Sequence, residues 1–82
     1  MLHPNWEKIK INVMESGLYL KFSDPILKTK LLETGNEILE EGNYWHDNFW
    51  GNCYCDRCNN ITGQNNLGKL LMKLRAEFME EN

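Results

Sequence analysis

The spacing of apolar residues along the chain predicts three helices. The clearest pattern lies in the last part of the sequence, where apolar residues recur at i, i+3, i+4, i+7 and i+11, the period of a helix that buries one face. These residues are Leu67, Leu70, Leu71, Leu74 and Phe78. Gly68 interrupts the pattern, and a glycine inside a helix costs about 1 kcal/mol relative to alanine. We therefore expect Gly68 to allow another backbone segment to approach this helix closely.

A shorter apolar stripe predicts the first helix. Its members, spaced at i, i+3 and i+7, are Trp6, Ile9 and Val13. Pro4 suits the first helical position, because the N–H that proline lacks would be unpaired there. Gly17 is the expected C-terminal stop. The segment that follows, residues 18–22, could be a strand or an extended connector.

The second helix is predicted mainly from the residues that begin and end it. Ser23 or Asp24 is expected to cap its N-terminus, with Pro25 in the first turn and Gly35 just after the last turn. Its inward face is expected to contain Ile26, Leu27 and Leu31.

Together these patterns predict one mainly helical domain, with about three helices and at most a short strand pair. Ile38 and Leu39 form a short apolar pair that could be a brief strand, and residues 59–66 are rich in turn formers and predict a loop. A chain of 82 residues allows a single domain, and at this size the hydrophobic core is marginal without further stabilisation.

Composition and charge restrict the classes of protein to which the chain can belong. A hydrophobic content of 41% with 26% charged residues is ordinary for a globular domain. The net charge of −3 gives no reason to expect general affinity for nucleic acid or for an anionic membrane. No apolar run approaches the roughly 20 residues of a membrane span, and no signal-peptide pattern opens the sequence. Three cysteines in one tight cluster do not resemble a secreted disulfide framework, so we expect a reducing cytoplasm.

The stretch from Glu41 to Gly51, which reads E-G-N-Y-W-H-D-N-F-W-G, has neither a helical nor a strand period. Aromatic and ionisable side chains are mixed in this stretch in no regular order, which is typical of a loop that lines a site. Indole rings beside Glu41 or Asp47 would partly desolvate a carboxylate, an environment common among acid–base groups. The alternative is an aromatic loop that closes the edge of a small core, with Asp47 turning the chain.

The cluster C-x-C-x-x-C places Cys53, Cys55 and Cys58 within six residues. Three thiols this close can converge on one tetrahedral zinc ion if a fourth ligand comes from elsewhere. His46 is the natural candidate for that ligand, and His3 is the other. A structural metal would stabilise a small domain. The alternative is a set of three thiols without a metal.

Gly63 to Gly68, which reads G-Q-N-N-L-G, precedes and opens the last helix. Free backbone N–H groups at a helix start favour an anion, so this segment could contact a phosphate with help from Lys69 and Arg75. A loop followed by a helix cap explains the two glycines equally well.

Three motifs, in this order, resemble the second half of the NADAR domain, the YbiA-like family. The family motifs are L-L-x-T-G, then E-G-N-x-W-H-D-x-x-W-G, then G-x-N-x-L-G-K-x-L-M-x-x-R. The chain matches them with Leu31–Gly35, Glu41–Gly51 and Gly63–Arg75. Upstream, the W-x-x-x-K-x-x-x-M…K-F pattern is matched by Trp6, Lys10, Met14, Lys21 and Phe22. The family's first half, with its Ser-Asn-Phe segment and Glu-His helix, has no counterpart, so residues 1–82 are expected to be one partial NADAR-like domain.

The resemblance implies chemistry on N-glycosidic bonds. NADAR-like proteins include N-glycosidases that act on riboflavin-pathway intermediates and hydrolases that remove ADP-ribose from guanine bases. Such enzymes need a carboxylate to stabilise an oxocarbenium ion and an acid to help the base leave. On this basis Glu41 and Asp47 are the candidate catalytic residues. The candidate ligand contacts are Trp45, Trp50, Gly51, Asn65 and Lys69.

Without the family's first half, the active site would need completion by a second copy or by another polypeptide, or turnover would be lost. A dimer is therefore a reasonable expectation, and no organic cofactor is expected. The alternative function is a non-catalytic module, zinc-stabilised or not, that binds a nucleotide-like ligand or a protein partner through Trp45 and Trp50.

Overall fold

The computed structural model describes residues 5–81 and contains three helices with a very short parallel strand pair. The helices are α1, Trp6–Lys21; α2, Pro25–Glu33; and α3, Asn66–Glu80. The strands are β1, Gly42–Asn43, and β2, Asn52–Cys53, and a 3₁₀ turn follows at Asp56–Cys58. The mainly helical class with three helices and a short strand pair is confirmed. No helix in the described part of the chain is long and apolar enough to cross a membrane.

The hydrophobic core lies where α3 packs against both α1 and α2. Its buried members are Leu18, Leu31, Leu74 and Phe78, and partly buried leucines of α3 pack against them. The apolar stripe predicted for α3 is therefore confirmed, since all five of its residues are buried or partly buried in this core.

Helix α1 differs from the prediction at its end and in its buried face. Gly17 does not stop the helix, which continues to Lys21, so the prediction of a strand or connector at residues 18–22 is wrong. The reason is a second apolar spacing, i, i+4 and i+8, in which Met14, Leu18 and Phe22 contact the core. The predicted stripe is instead on the surface, with Trp6, Ile9 and Val13 exposed by 41%, 40% and 67%. Pro4 lies outside the described residues.

Helix α2 begins as predicted. The Asp24 carboxylate accepts hydrogen bonds from the N–H groups of Ile26 and Leu27, and Pro25 occupies the first turn. Ser23 is not the cap, because its hydroxyl donates to the Leu20 carbonyl. The predicted inward position of Ile26 is wrong, since its side chain is 67% exposed. Leu31 is buried as expected, and Gly35 follows the helix with φ +61°.

The segment between α2 and β1 is held against α3 by side-chain hydrogen bonds rather than by strand pairing. The brief strand predicted at Ile38 and Leu39 is wrong, because the first strand begins at Gly42. The Asn65 side chain accepts a hydrogen bond from the Glu41 N–H (2.9 Å) and donates one to the Leu39 carbonyl (2.9 Å). A Cβ at Gly68 would lie 2.3 Å from that same carbonyl oxygen. Gly68 therefore allows the close backbone approach predicted for it.

Gly68→Ala is expected to lower the free energy of unfolding by about 1–3 kcal/mol, because its methyl group would collide with backbone as well as with the Asn65 side chain. Gly17→Ala is the matched control. A Cβ at Gly17 meets no atom within 4 Å, so this variant should gain up to about 1 kcal/mol from helix propensity. Urea titrations of both variants measure the difference, and equal effects of the two substitutions would contradict the close approach at Gly68.

Candidate functional site

Asn43, the last residue of β1, holds the loop that joins β1 to β2, and its side chain is 1% exposed. Its amide donates to a Glu41 carboxylate oxygen (3.3 Å) and to the Asp47 carbonyl oxygen (2.8 Å). Its side-chain oxygen accepts from the N–H groups of Trp45 (3.3 Å) and Asp47 (3.1 Å). Asn43 thus joins the two candidate catalytic residues. The sequence analysis missed this residue, and its place inside the E-G-N block was the one available signal.

Asp47 turns the chain with its own carboxylate. One oxygen accepts hydrogen bonds from the N–H groups of Phe49 (3.1 Å) and Trp50 (2.9 Å), an arrangement typical of an Asx turn. The turn-forming role proposed as the alternative for Asp47 is therefore present. The catalytic roles of Glu41 and Asp47 remain predictions.

Position 51 must be a glycine, because Glu41 approaches its Cα too closely for a side chain. A Cβ at Gly51 would lie 1.9 Å from the Glu41 carbonyl oxygen and 2.0 Å from a Glu41 carboxylate oxygen. The pairing of Gly42 with Asn52 in the two-stranded sheet produces this approach. The Glu41 carboxylate is consequently packed against bare backbone, and its position is set by the strand pair and by Asn43.

Trp50 faces a groove on α1. Its ring meets the Phe49 ring edge-on, with the centroids 4.8 Å apart, and Lys10 Nζ lies 3.5 Å from the Phe49 centroid. The groove has a volume of about 380 Å³. It is lined by Trp6, Ile9, Lys10, Val13, Met14, Gly17 and Trp50. Glu41 and Asp47 do not line it. Trp45 does not line it either and is 66% exposed, so the two tryptophans have different surroundings.

Most of the backbone N–H groups that lead into α3 are already hydrogen-bonded within the chain. The N–H groups of residues 64–67 donate to carbonyl oxygens of the preceding loop, at Asn48, Gly51, Phe49 and Trp50 respectively. Arg75 is 7% exposed and donates to the Thr34 hydroxyl (2.7 Å). The four N–H groups of residues 64–67 therefore hold the preceding loop and are not available for the phosphate contact proposed for this segment. Ligand contacts by Asn65 and by the exposed Lys69 remain predictions.

The three cysteines and His46 converge on one point. Their possible ligand atoms all lie within 4.8 Å of one another. Cys53 Sγ lies 3.3 Å from Cys55 Sγ, and His46 Nδ1 lies 3.2 Å from Cys55 Sγ and 3.4 Å from Cys58 Sγ. Sulfur atoms bound to one tetrahedral zinc are about 3.8 Å apart, given Zn–S bonds of about 2.3 Å. The group is thus able to hold a metal ion with small adjustments. His3 lies outside the described residues.

Hydrogen bonds orient the sulfur atoms in this cluster. The His46 N–H donates to Cys53 Sγ (3.2 Å), and the Asn48 side-chain amide donates to Cys58 Sγ (3.4 Å). Burial raises the pKa of the Cys53 thiol, but hydrogen bonds, among them those from the N–H groups of Cys55 and His46, leave this pKa below its ordinary value. Burial and the neighbouring Cys53 thiol raise the pKa of Cys58. The Cys53 thiol therefore loses its proton more readily than the Cys58 thiol.

Comparisons with known proteins agree with the motif order. The family model described as the NADAR domain matches residues 2–79. The riboflavin biosynthesis protein PYRR, chloroplastic, of Arabidopsis thaliana is 41% identical over 100% of this chain and 13% of its own length. The N-glycosidase R617 of Acanthamoeba polyphaga mimivirus is 40% identical over 88% of this chain and 46% of its own length.

The N-glycosidase YbiA of Shigella flexneri serotype 5b is 37% identical over 98% of this chain and 47% of its own length. The chain thus spans less than half the length of these three relatives. No solved structure matches the chain significantly.

Proposed function

Because the chain belongs to the NADAR domain family, we propose that it acts on or binds N-glycosides of ribosyl phosphate or ADP-ribose. Two relatives that align with 88% and 98% of this chain are named N-glycosidases. The observation that carries the proposal is the buried Asn43 amide, which joins Glu41 to the backbone of Asp47 at the base of one loop. That loop also contains Trp50, so two carboxylates and an indole are presented by eleven consecutive residues.

The hydrogen bonds of this loop leave each carboxylate with one oxygen for a ligand. Asn43 binds Oε2 of Glu41, and two backbone N–H groups bind Oδ1 of Asp47. Among residues 5–81, no hydrogen bond is made to Oε1 of Glu41 or to Oδ2 of Asp47. In N-glycoside hydrolysis one such carboxylate would stabilise the oxocarbenium ion, and the other would activate water or protonate the leaving base.

In this proposal, a second polypeptide completes the site for turnover. The chain spans less than half of the two N-glycosidases, and the groove beside Trp50 contains neither carboxylate. A copy of this chain, forming a homodimer, or another polypeptide would complete the pocket by covering the exposed Trp6, Ile9 and Val13 side chains. Without it, the chain would bind the ribosyl ligand and not cleave it.

A second candidate function, a non-catalytic binding module, is favoured by the exposure of Trp45. This side chain is 66% exposed beside Tyr44, which is 72% exposed, and Asp47 already serves as a turn residue. Exposed aromatic side chains of this kind are typical anchors for a nucleotide base or a protein partner. Under this reading Trp45 contacts the partner, and Glu41 serves only to fix the loop.

The proposed metal is zinc in a structural role. Three thiolates and one imidazole form a closed set of four ligands that suits tetrahedral Zn²⁺ and leaves no position for a substrate. The proposal includes no organic cofactor and places the protein in the cytoplasm, where thiols stay reduced.

A calorimetric titration with ADP-ribose tests the proposal on the zinc-loaded protein. Asp47→Asn and Glu41→Gln keep the size of each side chain and remove its charge. Each should weaken ADP-ribose binding about 10–100-fold, the effect of losing a hydrogen bond from a charged group. Glu37→Gln, an exposed acid in the turn after α2, is the matched control and should bind like the wild type. A folded wild-type protein that does not bind ADP-ribose would exclude this ligand and leave the partner-binding function.

A further inference from the structure

The part of the chain that carries the proposed ligand site has almost no hydrophobic interior of its own. Within residues 42–58 the buried side chains are those of Asn43, Cys53 and Cys58. The aromatic side chains Tyr44, Trp45 and Tyr54 are 72%, 66% and 53% exposed. The hydrophobic core formed by the helices includes none of these residues. The buried interior of this segment therefore consists of two cysteine side chains and one side-chain amide, with no cluster of larger hydrophobic side chains.

The cysteine cluster is connected to the ligand loop through Asn48. The Asn48 amide nitrogen donates to Cys58 Sγ (3.4 Å), and its amide oxygen accepts from the Cys53 N–H (2.9 Å). Its backbone carbonyl accepts from the Gln64 N–H (2.7 Å), which is close to the start of α3. One residue thus contacts two of the four possible metal ligands and fixes the chain directly after Asp47.

His46 connects the cluster to the same loop from the other side. Its backbone has φ +69°, a left-handed conformation that is unfavourable for a residue other than glycine. In this conformation its N–H reaches Cys53 Sγ and its ring reaches Cys55 and Cys58. Asp47 follows immediately in the chain, so the orientation of Asp47 depends on the backbone conformation that His46 adopts. A metal bond to the His46 ring would stabilise that conformation.

We propose that His46, Cys53, Cys55 and Cys58 bind a zinc ion, which takes the place of a hydrophobic core in this loop. The bound zinc positions Asp47 and Trp50, and Asn48 is the positioning residue that connects the metal site to them. The metal-free protein then keeps its helices and loses the order of residues 43–58. That Asp47 and Trp50 contact a ligand rests on the proposed function. The ordering of the loop by zinc does not depend on any ligand.

The test compares zinc-loaded and zinc-depleted protein, both in the presence of a phosphine reductant. Native mass spectrometry should show one zinc per chain. In ¹⁵N-resolved NMR spectra, zinc removal by a chelator should broaden or shift the amide signals of Asp47 and Trp50. The amide signals of Leu74 and Phe78 in the core should stay in place, and zinc addition should restore the loop signals. Loop signals that do not respond to zinc, or a chain that binds none, would overturn the proposal.

Asn48→Ala separates the positioning role from metal binding, because it keeps all four metal ligands. Loss of a group that hydrogen-bonds to a ligand costs about 10–100-fold in metal affinity, so the comparison is made at saturating zinc. We expect zinc to bind and the signals of Asp47 and Trp50 to remain broadened. Asn36→Ala, an exposed residue in the turn after α2, is the control and should show wild-type loop signals. Sharp loop signals in zinc-saturated Asn48→Ala would contradict the role of Asn48.

ADP-ribose binding then distinguishes this inference from the proposed function. If both hold, zinc removal should weaken ADP-ribose binding at least tenfold, and zinc addition should restore it. If zinc orders the loop but ADP-ribose does not bind the loaded protein, the proposed ligand is wrong and the inference stands. If ADP-ribose binds equally with and without zinc and the loop signals do not respond to zinc, the inference fails and the proposed function stands.

Discussion

Asn43→Ala is expected to open the loop between β1 and β2 while leaving the helices folded. The substitution removes four hydrogen bonds, two donated to Glu41 and Asp47 and two accepted from Trp45 and Asp47. Asn43 is 1% exposed, so water cannot replace these partners without opening the loop. Each unsatisfied buried group costs about 1–3 kcal/mol, and we expect a local cost of about 3 kcal/mol.

Hydrogen exchange measures this effect directly. A cost of about 3 kcal/mol should lower the protection of the Trp45 and Asp47 amides about a hundredfold, because 1.4 kcal/mol corresponds to a factor of ten. Asn43→Asp is the informative partner variant, since it keeps the oxygen that accepts from both amides but replaces the donor to Glu41 and to the Asp47 carbonyl with an acceptor oxygen. Its loss of protection should be at least as large, because a buried carboxylate beside a second carboxylate is unfavourable. Asn59→Ala, at an exposed position, is the control. Unchanged exchange in Asn43→Ala would contradict the central role of Asn43.

Leu74→Ala is expected to lower the free energy of unfolding by about 2–5 kcal/mol, the usual cost of removing a buried leucine. Leu74 is 3% exposed and belongs to a core with four buried members among residues 5–81, so the remaining side chains cannot fill the cavity. Domains are stable by about 5–15 kcal/mol in total, and a chain of 82 residues should be near the lower limit.

Chemical denaturation followed by the helical circular dichroism signal measures the effect of Leu74→Ala. Leu20→Ala is the matched control, because Leu20 is 77% exposed on α1 and its loss should change stability by less than about 0.5 kcal/mol. If both variants were equally stable, the core could not lie between α3 and the other two helices.

The parts of the fold that sequence predicted are those determined by local signals. The five-residue stripe of α3 fixes which of its faces is buried, and Asp24 with Pro25 fixes where α2 begins. Cysteine spacing also identified a cluster able to hold a metal ion, because three thiols within six positions can reach one ion when the chain turns between them. His46 was found in the same way, from its position seven residues before Cys53.

The parts that sequence did not predict depend on contacts between distant segments. Two apolar spacings compete on α1, and the position of α3 selects Leu18 rather than Val13 for the core. Gly17 therefore lies inside a helix that packing extends. The hydrogen bonds of Asn43 and Asn48 were also missed, because a polar residue in an aperiodic loop gives no pattern from which burial can be inferred.

The measurement that tests the central proposal most directly is an NMR titration of the zinc-loaded, ¹⁵N-labelled protein with ADP-ribose. A ribosyl-ligand site on the loop predicts that signal changes concentrate in residues 41–51, including the Trp50 indole N–H. Signal changes centred on Trp6, Ile9 and Val13 in the groove, with none in residues 41–51, would place the ligand elsewhere and contradict the proposal. A titration with no signal change at all would exclude ADP-ribose as a ligand of this chain.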